Sequence, residues 1–214
     1  GESVALLGPN GSGKSTVVNT ISGLLAAKAG EIRFDGASLK GRPAHVRASL
    51  GIAHVLERRR VFPHLTVLQN LTLGAWHAAA KAARPRSLER IFTLFPRLSE
   101  RKSQFARTLS GGEQQMLALG RGLMALPRLL MVDEPSLGLA PVVANTVTEA
   151  LAQISTRTSL LVVEQNVHLA QRICSRAVVM RAGEVVLRAR SDELDDRDAL
   201  LSKYLGQADI AGAV

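Results

Sequence analysis

Short apolar runs recur along the chain, and each ends in glycine or in polar residues. Runs of this length, bounded in this way, are typical of buried strands rather than of helices, which need ten or more residues. They cover residues 4–7, 31–34, 51–55, 128–134 and 159–163, and a hairpin pattern follows over residues 177–187. The sequence therefore predicts a sheet of several strands.

Helical spacing separates these strands. One apolar stripe, three or four residues apart, predicts an amphipathic helix over residues 87–98 that packs in the core. Its members are Leu88, Ile91, Phe92, Phe95 and Leu98. Further helical segments lie at residues 17–22, 43–50, 66–71 and 140–154. Strands that alternate with helices favour an α/β fold with a mainly parallel sheet.

The long helical stretch in the middle suggests a division of the chain. We predict that residues 1–56 and 127–214 form one α/β core, which ends in the hairpin and in an acidic helix over residues 191–205. Residues 57–126 form a helical insertion. No run approaches the ~18 apolar residues of a membrane span. Cys174 is the single cysteine, which excludes a disulfide scaffold, and the chain begins in a strand rather than a secretory signal, so we expect a cytosolic protein.

The formal net charge of +9 is concentrated in the helical stretch. Residues 57–126 hold 12 of the 27 lysines and arginines but 4 of the 18 acidic residues. Three interpretations stay open: a solvated helical surface, an acidic partner such as nucleic acid, and an anionic membrane surface. Aromatic residues make up 3% of the chain and do not alternate with the charges, which argues against a platform for stacking single-stranded nucleic acid.

The first strand leads into a glycine-rich loop that fits the pattern G-x-x-x-x-G-K-[ST]. Its residues are Gly8, Pro9, Asn10, Gly11, Ser12, Gly13, Lys14, Ser15 and Thr16. Strand, glycine loop and helix together form a phosphate-binding unit, because backbone N–H groups and the helix N-terminus face the anion. Lys14 supplies a full charge for the β- and γ-phosphates, and the Ser15 hydroxyl is placed to bind Mg²⁺. A chance glycine turn is the alternative.

Two carboxylates, Asp133 and Glu134, end the apolar run at residues 128–134. In a chain with a phosphate loop, acids at a strand end indicate a Mg²⁺ ligand and a base for water. The alternative is an acidic turn before Pro135. Polar residues also end the run at 159–163, where Glu164, Gln165 and Asn166 follow.

A second candidate phosphate contact lies at residues 109–115, LSGGEQQ. Ser110 and Glu113 fit the S-x-x-E capping box, so we expect a helix that begins here and runs toward Leu126. Gly111 and Gly112 each cost a helix roughly 1 kcal/mol relative to alanine, and a purely structural cap does not need them. Exposed glycine N–H groups at a helix N-terminus suit an anion.

The phosphate loop, LSGGEQQ and LMVDEP at residues 130–135 occur in the order and spacing of one known family. The chain resembles the ATP-binding subunits of ATP-binding-cassette (ABC) transporters over nearly its whole length. Residues 57–63, 133–141 and 163–166 are similar to the branched-chain amino acid importer ATPases. The resemblance implies a P-loop NTPase (RecA-like) core with a mainly parallel sheet and an inserted α-helical subdomain.

The family's roles transfer onto matching positions. The resemblance implies that the phosphate loop binds ATP, that Ser15 and Asp133 bind Mg²⁺, and that Glu134 is the general base. It also implies that Ser110, Gly111 and Gly112 bind the γ-phosphate of ATP held by a second subunit, in a head-to-tail homodimer or heterodimer.

Three positions depart from the wider family pattern, and two more depart from the pattern of the importer subgroup. Glu57 replaces a phosphate-sensing glutamine, and because a carboxylate repels phosphate, we expect it to reach Mg²⁺ or the attacking water. Gln165 replaces a histidine, and its amide can donate to phosphate but cannot titrate. Ala140 stands where an aspartate is usual. The importer subgroup shares these three substitutions. Arg58 and Leu56 are unusual even in that subgroup, which has glycine at position 58. If φ is positive at this position, arginine costs roughly 1 kcal/mol or more.

The resemblance implies an ATP-hydrolysing subunit of an importer for branched-chain or other hydrophobic amino acids, cytoplasmic and peripheral on the inner face of the cell membrane. Its expected partners are transmembrane permease subunits and, indirectly, a substrate-binding protein, with no nucleic acid. In the family, an aromatic residue that stacks on adenine lies further before the phosphate loop than the first residue of this chain. We therefore expect an N-terminally truncated chain. The alternatives are a soluble ABC-type ATPase acting on nucleic acid or the ribosome, and a catalytically impaired nucleotide-binding module.

Overall fold

A computed structural model describes residues 2–195 of the chain and is built around one six-stranded sheet. The strands of the described part are β1 (Ser3–Leu7), β2 (Arg33–Phe34), β3 (Ala37–Ser38), β4 (Ile52–Val55), β5 (Leu129–Asp133), β6 (Ser159–Glu164), β7 (Arg176–Arg181) and β8 (Glu184–Arg190). The large sheet has the order β4-β5-β6-β1-β7-β8, and β2 and β3 form a separate hairpin. Every pairing in the large sheet is parallel except β7 with β8. The predicted α/β fold with a mainly parallel sheet is confirmed.

The helices of the described part are α1 (Lys14–Ser22), α2 (Ala44–Ser49), α3 (Val67–Gly74), α4 (Ala78–Ala82), α5 (Arg84–Leu94), α6 (Pro96–Glu100), α7 (Gly111–Leu123), α8 (Pro141–Ser155) and α9 (Val167–Ile173). Short 3₁₀ helices lie at Ala106–Thr108 and Ser191–Asp195. Of the predicted C-terminal helix over residues 191–205, residues 191–195 form a 3₁₀ helix, and residues 196–205 lie outside the described residues. Within residues 2–195, no helix combines the length and the apolar character needed to cross a bilayer.

The predicted helix over residues 87–98 is wrong in one respect, because the structure divides it into α5 and α6. Phe95 between them has φ −130° and ψ 76°, which is not helical. Pro96 is the reason: it has no N–H to donate, and its ring disfavours helical backbone in the residue before it. The apolar stripe survives the break, since Ile91, Phe95 and Leu98 are all buried.

Apolar side chains cover both faces of the sheet. Neighbouring residues of a strand point to opposite faces, and Leu7 and Val132 belong to one apolar cluster while Leu6 and Met131 belong to the other. The larger cluster extends into α7 and α8, and the smaller one contains Val18 of α1. A parallel sheet buried on both faces leaves its strand ends as the place for polar chemistry.

Candidate functional site

Four parallel strands place their following loops at one edge of the sheet. The loop after β1 holds the glycine-rich segment, the loop after β4 holds Glu57, β5 ends in Asp133, and β6 ends just before Gln165. The loops after β1, β4 and β5 line a cavity of about 490 Å³. It is lined by Asn10, Gly11, Gly13, Lys14, Ser15, Thr16, Glu57, Arg58, Glu134 and Leu137.

The glycine-rich loop needs its glycines for two physical reasons. Gly11 and Gly13 have φ of 78° and 98°, in the left-handed region that favours glycine. At Gly8 space is the limit, because an added Cβ would lie 2.2 Å from the Met180 carbonyl oxygen. The Gly183 N–H donates to the Ser12 carbonyl at 3.0 Å, so the turn between β7 and β8 supports the loop from outside.

Lys14 is buried at the start of α1, and its ammonium group faces the loop. Nζ donates to the carbonyl oxygens of Gly8 at 2.7 Å and Pro9 at 3.0 Å, and lies 3.9 Å from Oε1 of Glu134. Burial lowers the pKa of Lys14, and the negative charges of Glu134 and Asp133 oppose that shift. The group thus combines a cation with three donors at the floor of the cavity.

Ser15 and Asp133, the two predicted Mg²⁺ ligands, lie next to each other. The Ser15 hydroxyl donates to Oδ1 of Asp133 at 3.5 Å, although 118 residues separate them. Burial raises the pKa of Asp133, and the charges of Glu134 and Glu57 raise it further, while the Ser15 hydrogen bond and Lys14 oppose them. A cation at this point would relieve that clustered negative charge.

This pair of oxygens fits magnesium better than a transition metal. Among the described residues, no three or more histidine, cysteine, aspartate or glutamate side chains come together as a metal-binding group. Mg²⁺ is commonly held by one or two protein oxygens together with substrate phosphates and water. Ser15 and Asp133, beside a phosphate loop, match that donor set.

Glu134 and Gln165 meet across the cavity. The Gln165 side-chain amide donates to Oε1 of Glu134 at 2.9 Å and to Oδ1 of Asn10 at 2.8 Å. Glu134 has φ 46°, and its N–H donates to the Val163 carbonyl at 2.9 Å. The predicted base and the amide predicted to donate to phosphate are therefore in direct contact.

The loop after β4 carries positive φ at three consecutive arginines. Arg58, Arg59 and Arg60 have φ of 63°, 65° and 37°. Arg58 therefore has the positive φ at which arginine carries a backbone cost. Glu57 lines the cavity and pairs with the Arg58 guanidinium at 3.3 Å.

Ser110, Gly111 and Gly112 form a separate feature at the N-terminus of α7. The capping box is present: the Glu113 N–H donates to the Ser110 hydroxyl at 3.3 Å, and the Ser110 N–H donates to Oε2 of Glu113 at 2.8 Å. None of the three residues lines the cavity of the phosphate loop. An added Cβ on Gly111 would lie 2.7 Å from Nη1 of Arg59, so a guanidinium group stands beside this helix end.

Two contacts at or near the cavity were missed by reasoning from the sequence. Asn10 accepts a hydrogen bond from Gln165, and Glu164 accepts from the Ser136 N–H at 3.2 Å. Each joins residues far apart in the chain, which spacing alone does not reveal. The available signal was the acid at the end of β6, since a carboxylate that ends an apolar strand must find partners when it is buried.

Comparison with known proteins gives one family over most of the chain. The family model described as "ABC transporter" matches residues 1–137. The branched-chain amino acid transport ATP-binding protein BraG of Pseudomonas aeruginosa is 42% identical over 207 residues, which cover 96% of this chain and 88% of that protein. The probable branched-chain amino acid transport protein LivF of Archaeoglobus fulgidus is 33% identical (96% and 87%), and the glutamate/aspartate import protein GltL of Escherichia coli K12 is 32% identical (92% and 83%).

Solved structures agree on the fold. An ATP-binding subunit of an ABC transporter matches with a TM-score of 0.76 and 28% identity, over 93% of this chain and 82% of that one. A nucleotide-free ATP-binding cassette from an ABC transporter matches with a TM-score of 0.79 and 23% identity, over 96% and 88%. The predicted P-loop NTPase fold is confirmed.

Proposed function

The chain belongs to the ABC transporter family as an ATP-binding subunit with ATPase activity, and from that premise we propose that it drives an importer of branched-chain or other hydrophobic amino acids. Two of the relatives above are named for branched-chain amino acid transport, at 42% and 33% identity. Their similarity extends over 96% of the chain, well beyond the nucleotide-binding motifs.

Nucleotide phosphates bind at the glycine-rich loop, from Gly8 to Thr16. Lys14 exchanges its bonds to the loop carbonyls of Gly8 and Pro9 for bonds to phosphate oxygens, which are stronger acceptors because they are charged. The backbone N–H groups at the start of α1 add the partial positive charge of the helix N-terminus.

Ser15 and Asp133 would hold Mg²⁺ with their hydroxyl and carboxylate oxygens. When bound there, the ion neutralises charge that develops on the phosphate oxygens. Glu57 faces the same cavity, and its negative charge contributes to the raised pKa of Asp133. We assign Glu57 to the ion's surroundings or to the attacking water rather than to phosphate, which its carboxylate repels.

Glu134 is the general base. Its carboxylate takes the proton from the attacking water, and the Gln165 amide, 2.9 Å away, holds Oε1 in one orientation. The second N–H of Gln165 donates to Asn10 in this structure, and it can exchange that acceptor for a phosphate oxygen. The observation that carries this assignment is a set of contacts at one edge of the sheet: Glu134 lies 3.9 Å from Lys14 and accepts a hydrogen bond from Gln165, and Ser15 donates to Asp133.

Ser110, Gly111 and Gly112 act on the nucleotide of a second ATP-binding subunit. They offer helix N–H groups to an anion but stand apart from the cavity of their own chain. A head-to-tail dimer, homomeric or heteromeric, brings each α7 N-terminus to the partner's phosphate loop, so the site is a composite of two chains.

Residues 57–126 form the helical subdomain that meets the permease subunits, while residues 1–56 and 127–214 form the ATP-binding core. A groove of about 410 Å³ opens between β4, α3 and α7. Phe62, Leu73 and Trp76 line it and remain 50%, 47% and 43% exposed. Exposed apolar groups beside a basic surface suit a membrane protein near anionic headgroups. These features support our proposal that the subunit lies at the cytoplasmic face of the membrane, with a substrate-binding protein as an indirect partner.

Substitution of Glu134 by glutamine tests the base. Glu134→Gln keeps the size of the side chain but cannot take a proton, so turnover should fall by about 10²–10⁴ while ATP stays bound. Glu149→Gln is the matched control, because Glu149 lies on α8 and pairs with Arg172 away from the cavity. Wild-type turnover by the Glu134→Gln transporter, measured as phosphate release, would refute the assignment.

A further inference from the structure

Glu164 is a buried carboxylate for which the proposed mechanism has no role. It is the last residue of β6, and it is 3% exposed. Its pKa is raised by burial, and hydrogen bonds from Ser136, Asn166 and Gln165 oppose that shift. Burying such a group is costly unless its oxygens are satisfied, so its contacts show which geometry it stabilises.

The two carboxylate oxygens of Glu164 face two different loops. Oε1 accepts from the Ser136 N–H at 3.2 Å, in the loop that follows Asp133 and Glu134. Oε2 accepts from the N–H groups of Gln165 at 3.1 Å and Asn166 at 3.4 Å, in the loop that follows β6. One side chain therefore links the loop after the base to the loop that carries the Gln165 amide.

The same two loops meet a second time at the cavity, where Gln165 donates to Glu134. Ser136, Glu164, Gln165 and Glu134 thus form a closed chain of hydrogen bonds and short covalent links. The closing bond holds the carboxylate of the base, and its length depends on how the two loops sit relative to each other.

We propose that Glu164 is a positioning residue for ATP hydrolysis: it fixes the two loops so that the Gln165 amide holds the Glu134 carboxylate toward the attacking water. Glu164 touches neither nucleotide nor water in this role and acts through Gln165. The inference rests on the proposed role of Glu134 as the base.

Glu164→Gln is the test variant, because the side chain keeps its size while one of the two acceptor oxygens becomes an NH₂ group. That group must face a backbone N–H at Ser136 or at Gln165, so one side of the link is lost. In the transporter complex, we expect kcat per ATP-binding site to fall roughly tenfold to a hundredfold, the cost of a misplaced reacting group, with KM for ATP within about twofold of wild type. Glu164→Asp, which keeps the charge but is one CH₂ too short to span both loops, should show the same split.

A double substitution tests whether Glu164 acts through Gln165. Relative to Gln165→Ala alone, the addition of Glu164→Gln should slow turnover by no more than about twofold, because residues that act through one another are not additive. Full multiplication of the two effects would overturn the proposal. The proposal would also be overturned if Glu164→Gln had the wild-type kcat per binding site but fewer chains able to bind ATP. That result is expected of a purely structural role.

The Glu134→Gln measurement separates failure of the two proposals. If Glu134→Gln is inactive and Glu164→Gln is as active as wild type, the base assignment stands and the positioning role falls. If Glu134→Gln retains turnover, both fall. Glu149→Gln serves again as the control carboxylate and should leave kcat and KM unchanged.

Discussion

The phosphate-loop edge of the sheet, defined by Lys14, Asp133, Glu134 and Gln165, and the N-terminus of α7 are both suited to an anion but are built differently. At the edge, polar groups from distant segments contact one another: Ser15 meets Asp133 over 118 residues, and Asn10 meets Gln165 over 155. At α7 the capping hydrogen bonds are local, because Ser110 and Glu113 cap each other three residues apart.

Because of this difference, we interpret the phosphate-loop edge as a binding site and the α7 end as half of one. The edge brings together a cation, the two proposed magnesium ligands and the proposed base within one chain. The α7 end offers N–H groups and the neighbouring Arg59 guanidinium, and within residues 2–195 its carboxylate, Glu113, serves as the helix cap. Such an end gains a function when a second molecule brings the phosphate. The variants below act on one of the two regions and leave the other intact.

The largest effect is expected from Gly111→Asp at the α7 end. Aspartate is tolerated in the first turn of a helix, and the Arg59 guanidinium beside it can shift or pair with it. The carboxylate repels the partner's γ-phosphate, so turnover by the assembled transporter should fall by about a hundredfold or more, as when an oxyanion donor is lost. Gly111→Ala adds the Cβ without the charge and should retain most of the activity. Unchanged phosphate release by Gly111→Asp would remove α7 from the site.

An intermediate effect is expected from Asp133→Asn at the phosphate-loop edge. The amide keeps the shape but loses the charge that attracts Mg²⁺, so the Mg²⁺ concentration for half-maximal turnover should rise roughly tenfold or more. Asp35→Asn is the control, since Asp35 lies in the β2–β3 turn and pairs with Arg128. A magnesium titration of Asp133→Asn that coincides with wild type would refute the ligand assignment.

The smallest effect is expected from Arg58→Gly, which relieves backbone strain in the loop after β4. Arginine at φ 63° costs roughly 1–2 kcal/mol, and the flexibility of glycine in the unfolded chain returns part of it, so the free energy of unfolding should rise by about 1 kcal/mol. Chemical denaturation followed by circular dichroism measures this. Arg58→Ala removes the same guanidinium but keeps the Cβ, and an equal gain in that variant would show that strain is not the cause.

The features predictable from the sequence are those fixed by local chemistry. The capping box at Ser110 and Glu113 lies within one helical turn, and the glycine loop has its positive φ where glycines stand. The ends of parallel strands must share one edge of the sheet, so the meeting of Asp133 with Ser15 followed from topology.

The features that sequence reasoning missed depend on tertiary contacts or on competition between signals. Glu164 has its partner Ser136 at a distance of 28 residues, across two strands. The apolar stripe through Phe95 and Leu98 predicted one continuous helix, because the apolar spacing continues past Pro96. The helical backbone conformation does not continue there. Arg59 lies beside Gly111 because of the way the helical stretch packs, and no local sequence pattern encodes that packing.

The affinity of the isolated full chain for ATP, measured by equilibrium titration in the presence of Mg²⁺, separates the two regions most directly. Lys14→Ala removes a charged donor from the phosphate-loop edge and should raise Kd by about tenfold to a hundredfold. Gly111→Asp should leave Kd within about twofold of wild type, because in a single chain α7 is not part of the phosphate site. If Gly111→Asp weakened ATP binding by the isolated chain as much as Lys14→Ala does, the two regions would form one site, and the composite site of two chains would be contradicted.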